Sequence, residues 1–153
     1  MIRCLVHRTL ALSLVFPLFG VACFAAQPSP CERISEIRSI PMKGQGSDEA
    51  YVDLMKAGDS AVPCLIEKIT DTTPMPDPRM APKYSGTVVG DVAVFMLTRI
   101  TETEFQALLP EEVKESYRDS GVYAYFKYVA EPEHREELQK RWRQWWQQRT
   151  SEE

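Results

Sequence analysis

The sequence predicts an all-α domain in which helices pack into one compact unit. Three observations carry that expectation. Apolar residues recur at three- and four-residue intervals through most of the chain after residue 29. Prolines fall where first helical turns would begin, at Pro30, Pro63 and Pro132, and glycines fall where helices would stop, at Gly58 and Gly121. One stretch, "TVVGDVAVFMLTRIT", has an apolar stripe wide enough for a buried central helix.

Residues 1–26 stand apart from that domain and read as a secretory signal peptide. Arg3 and Arg8 supply a positive start, "TLALSLVFPLFGVACFAA" runs without a charge, and Cys23-Phe24-Ala25 gives a small-x-small exit. Cleavage falls after Ala25 or Ala26. An uncleaved membrane anchor is the alternative. A third reading attaches lipid at Cys23, since "GVAC" resembles a lipobox with Gly20 in place of the usual leucine. Cleavage would remove two of the 18 basic residues and none of the 22 acidic ones, leaving a net charge of −6. An acidic domain repels phosphate, which argues against nucleic acid as a partner.

The elements of residues 27–150 follow in order. "SPCERISEIRSI" places Ile34, Ile37 and Ile40 at helical spacing behind Pro30. "SDEAYVDLMKAG" offers Ser47 as N-cap, Asp48 and Glu49 in the first turn, and Tyr51, Leu54 and Met55 as the apolar face. The next helix opens at Asp59 or Ser60, with Pro63 in its first turn and Val62, Leu65, Ile66 and Ile69 on one side. From Asp71 to Gly86, Pro74, Pro76, Pro78 and Pro82 exclude a regular element. Thr87 is the N-cap expected for the central helix, whose stripe is Val89, Val92, Ala93, Met96, Leu97 and Ile100. "TEFQALLPEEVKESYRDSG" predicts a short helix, a restart at Pro110 and a stop at Gly121. "VYAYFKYVA" fits a strand by composition and a helix by spacing; helix is preferred. A last helix starts at Pro132, carries Leu138, Trp142 and Trp145 on one line, and frays after Arg149, with 151–153 as a tail.

With Cys4 and Cys23 in the leader, Cys31 and Cys64 remain, 33 positions apart. In an oxidising compartment they pair as a disulfide; two buried free thiols are the alternative. A bridge would contribute roughly 3–4 kcal/mol in the chain-entropy model.

Catalytic signatures are scarce. His134 is the one histidine outside the leader, with no metal-ligand spacing around it, so no metal and no cofactor is expected. There is no nucleophile elbow and no P-loop. Adjacent acids such as "PEE" and "EEL" could serve a hydrolase, but they fall in first turns, where the helix dipole favours them. Asp91, amid apolar residues, reads either as a buried anion that grips a partner's cation or as a first-turn hydrogen-bonding group. Trp142, Trp145 and Trp146 fit core packing or an exposed patch, with Trp146 off the line of the others. In the proline-rich loop, Arg79, Lys83 and Tyr84 are candidate contact residues; a solvated connector is the alternative.

"GDSAVPCLIEKITD" resembles the first helix of a short HEAT repeat. Gly58, Ala61, Val62, Pro63, Leu65, Ile66 and Asp71 match, and Ile69 stands for its second leucine. "VGDVAVFMLTRI" is similar to the partner helix at Val89, Ala93, Leu97 and Ile100, with Gly90 where the family carries arginine. The likeness covers roughly one repeat unit. It implies a HEAT-like helical hairpin stack interrupted by the proline-rich loop, and a role in binding another protein. It carries no catalytic residue. The expected function is therefore an exported, non-catalytic protein-binding domain, in one concrete form an immunity-type protein that neutralises a periplasmic toxin. The alternatives are a carboxylate-dependent hydrolase and a structural envelope protein. Membrane association is expected only through lipid at Cys23.

Overall fold

A computed structural model describes residues 29–41, 48–79 and 84–152 of the chain. The leader with Cys23, and with them Ser47 and Lys83, lie outside those residues. The described residues form an all-α fold: α1 (Glu49–Ala57), α2 (Val62–Lys68), α3 (Val89–Ile100), α4 (Glu111–Ser120), α5 (Val122–Tyr128) and α6 (Pro132–Ser151). Among the described residues there is no strand, and none of the helices is long and apolar enough to cross a membrane.

α3 is the centre. Every residue from Val89 to Leu97 is buried, as its wide apolar stripe demands. α2 packs along it through Val62, Leu65 and Ile66. α6 lies against α2: Leu138 and Trp142 enter the core, Gln139 Nε2 donates to the Ile66 carbonyl at 3.0 Å, and Arg143 pairs with Glu67. α4 and α5 pack on each other as a second layer. Gly121 makes that turn possible, since it ends α4 with φ +57°, a conformation with no steric penalty only for glycine. The aromatic-rich run is therefore a helix, with Ala124, Tyr125, Phe126 and Tyr128 buried.

Several local expectations change. Residues 29–40 form a turn and one 3-10 helix, Ile34–Glu36, instead of a full helix. The three isoleucines are buried as expected, but the backbone donors go elsewhere. Asp48 Oδ2 accepts from the amides of Arg38 and Ser39 at 2.7 and 2.9 Å, and the Ile40 amide donates to Pro78 O. A carboxylate that captures two successive N–H groups outcompetes a helix. Asp48 is also the N-cap of α1, accepting from the Tyr51 amide, so the cap lies one residue beyond Ser47.

Thr87 is likewise not a cap. Its hydroxyl donates to Tyr84 O and closes the proline-rich loop, while Val88 holds the N-cap position of α3. A 3-10 turn, Gly58–Ala61, leads into α2, and Pro63 sits in the first turn of that helix. Residues 103–109 make turns closed by Ala107 N to Glu104 O and Leu109 N to Gln106 O, not a helix. Pro110 disfavours helical geometry at the residue before it. At the other end the helix outlasts the expected fraying point and reaches Ser151.

Cys31 and Cys64 are bonded, with Cα atoms 6.1 Å apart. The bridge ties the N-terminal turn to the first turns of α2. Arg33 reinforces the same junction from outside, pairing with Glu36, Glu49 and Asp53.

Candidate functional site

Asp91 is fully buried at the start of α3. Its carboxylate accepts from the Val88 amide at 2.9 Å, from the Tyr125 hydroxyl at 2.9 Å and from Arg135 Nη2 at 2.9 Å. The cation it grips thus belongs to this chain, and the anion is committed to joining α3, α5 and α6. Burial pushes the Tyr125 phenol well above its ordinary range, and the negative charge of Asp91 adds to that effect. Arg135 reaches this place because residue 90 is glycine. A Cβ there would stand 2.2 Å from Ile69 O and 3.1 Å from Arg135 Nη1. Where the resembled repeat carries an arginine on α3, this chain has a gap filled by a guanidinium from α6.

The first part of the proline-rich segment, residues 71–78, is pinned by backbone bonds. Met75 N donates to Thr87 O, Val89 N to Thr73 O and Gly90 N to Asp71 O. Arg79 sits between two rings, its Cζ 4.7 Å from the centroids of both Phe95 and Phe126. Its Nε donates to Asp77 Oδ1 at 2.9 Å and its Nη2 to Oδ2. Burial raises the Asp77 carboxyl, but the bonds from Arg79 and from the Tyr84 amide outweigh it and hold the group below the usual carboxylate range. Tyr84 stacks on Phe126 at 4.0 Å. Arg79 and Tyr84 are therefore brought together on one aromatic platform, and most of their surface faces the protein itself.

One edge of that platform is open. A pocket of about 250 Å³ lies where the loop, α3, α4 and α5 meet. Arg79, Arg99, Thr98 and Tyr117 give it polar groups, and Phe105 and Val122 give it apolar walls. Among the described residues Nη1 of Arg79 has no hydrogen-bond partner, Arg99 is exposed and forms no ion pair, and no carboxylate lines the pocket. Burial raises the Tyr117 phenol, and the Arg79 charge pulls it partly back, so the two groups are near neighbours. Arg99 carried no sequence signal beyond its place in the last turn of α3, where a cation complements the helix dipole.

Two other features are less committed to a ligand. A wider groove of about 500 Å³ between α4 and α5 includes Tyr123, the exposed large hydrophobic residue among the described residues. Two of its polar side chains are engaged: His134 Nδ1 bonds Tyr128 O at 2.8 Å, and the Tyr128 hydroxyl donates to Glu137. The tryptophans resolve toward packing. Trp142 is buried, and Trp145 and Trp146 are half-buried against the core. Arg149 lies over Trp145 and donates to Thr101 O at the end of α3.

No family model matches this chain, and no curated protein or solved structure does either.

Proposed function

We propose that the chain is an exported, non-catalytic domain that binds another protein through the face built by the proline-rich loop and the end of α3. The observation that carries the reading is the open pocket with two guanidinium groups beside loop residues 71–78, which are pinned by backbone bonds. A preformed surface loses little entropy on binding, which favours recognition. The Cys31–Cys64 bridge supports export, since disulfides persist in oxidising compartments. The α2–α3 pair, packed side by side, supports a single HEAT-like unit capped by α6 in place of a second repeat. An immunity-type protein facing a periplasmic toxin is the concrete form this role would take.

The test is reconstitution. A partner recovered from an envelope fraction by cross-linking to the wild-type protein is purified and recombined with it. Arg99→Glu should abolish the recombined complex while lowering the melting temperature by no more than a few degrees, because Arg99 is exposed and, among the described residues, contributes only its interaction with the dipole of α3. A complex that survives Arg99→Glu overturns the placement of the interface.

A further inference from the structure

We infer that the Arg79–Arg99 pocket takes the side-chain carboxylate of a single acidic residue on the partner, seated beside an apolar neighbour. The inference rests on the protein-binding reading and names what the interface recognises.

Size comes first. At about 250 Å³ the pocket is smaller than those that enclose drug-sized ligands, about 300–1,000 Å³. It suits one side chain. Its walls then set the shape of that side chain: Phe105 and Val122 line the apolar part, so the stem that enters is hydrocarbon, and the polar tip meets the donors.

Charge selects the tip. Arg79 and Arg99 both line the pocket and, among the described residues, no carboxylate does, so the tip that enters is an anion. The donor geometry agrees, because guanidinium groups bind carboxylates through paired N–H donors.

Arg79 is also preorganised. The Phe95 and Phe126 rings lie 4.7 Å from its Cζ and the Asp77 carboxylate takes Nε and Nη2, so among the described residues Nη1 is the end without a partner. Arg99, exposed at the rim, supplies the second guanidinium.

The experiment is an NMR titration of the full chain labelled with 15N, using acetyl-Phe-Glu-amide, its isosteric acetyl-Phe-Gln-amide, and inorganic phosphate. The glutamate peptide should move the Nε–H signals of Arg79 and Arg99 and the amide of Thr98. The glutamine peptide should bind about tenfold more weakly, the expected effect of losing one charge-assisted contact. Arg99→Gln should weaken glutamate-peptide binding by a similar factor, with the melting temperature lowered by no more than a few degrees. Equal binding of the two peptides, or tighter binding of phosphate at the same signals, overturns the assignment, as does the absence of any shift. If the peptides leave these signals unmoved while Arg99→Glu still destroys the reconstituted complex, the carboxylate assignment fails and the protein-binding reading stands.

Discussion

Arg135 on α6 donates to Asp91 on α3 at 2.9 Å, across 44 positions of sequence and inside the core. Breaking a buried pair from one side strands the other charge, at about 3–5 kcal/mol. Asp91→Asn should therefore destabilise the fold by about that amount, since its single amide oxygen can serve either Val88 N, which donates to Oδ2, or Tyr125 and Arg135, which donate to Oδ1. Replacing both partners by neutral groups is much cheaper, because the desolvation of two charges is avoided. Arg135 Nη1 strengthens this expectation, being buried with no acceptor among the described residues. The double variant Asp91→Asn, Arg135→Met should recover a large part of the loss. Urea denaturation of both single variants and the double variant measures it, and a double-variant loss equal to the sum of the two single losses would show that the pair is not coupled.

Gly90→Ala should destabilise, against the ordinary trend. In a helix interior, alanine is about 1 kcal/mol better than glycine. Here the added methyl would meet the Ile69 carbonyl oxygen at 2.2 Å and its carbon at 2.9 Å. Both are backbone atoms that anchor the end of α2, so neither yields as a flexible side chain would. Overpacking of this kind costs roughly 1–3 kcal/mol. Thermal melting followed by circular dichroism checks the sign; an unchanged or higher midpoint contradicts it.

These two residues also mark how far the sequence could be read. The all-α class, the central α3 and the helical state of residues 122–128 follow from local pattern, because 3.6-residue periodicity and turn chemistry are local properties; the disulfide follows from there being two cysteines outside the leader. The partner of Asp91 does not. Nothing near Asp91 in sequence points to an arginine on another helix, and the glycine that admits it looks like a lapse in a repeat motif. Residues 29–40 misled for a related reason: three isoleucines at intervals of three suit a helix, but Asp48 diverts the backbone donors from outside the segment. The pocket was half legible. Arg79 stood out as a cation in a long loop, yet its placement between Phe95 and Phe126 joins residues far apart in the chain, and Arg99 looked like an ordinary helix end.

The disulfide should stabilise without being the sole tie of the N-terminal segment. Closing 33 residues is worth roughly 3–4 kcal/mol in the entropic model. Ile34, Ile37 and Ile40 nevertheless remain buried by contacts of their own, and Arg33 holds three carboxylates. Cys31→Ala with Cys64→Ala should lower stability by about that amount in urea while leaving the far-ultraviolet spectrum of the folded state intact. A double variant that unfolds entirely in the absence of denaturant would show that the bridge, not the isoleucines, holds the segment.

Asp48 links stability to acid pH. Burial raises its carboxyl, but the amides of Tyr51, Arg38 and Ser39 outweigh burial and lower it below the ordinary 3.8. A group depressed in the folded state contributes its full stability above the unfolded value. That contribution fades as pH falls through the lower folded value, because the proton then binds the unfolded chain first. Asparagine at this position keeps one acceptor for the cap but turns an N–H donor toward the Arg38 and Ser39 amides. Asp48→Asn should cost about 1–2 kcal/mol at neutral pH, a lost cap-type bond in a half-buried setting. The deficit should shrink by about pH 2.5, which lies below the ordinary 3.8 at which the contribution begins to fade. Urea midpoints of both proteins at the two pH values decide the matter: a deficit that stays constant or grows in acid would mean that the carboxylate charge plays no part in holding residues 38 and 39 against α1.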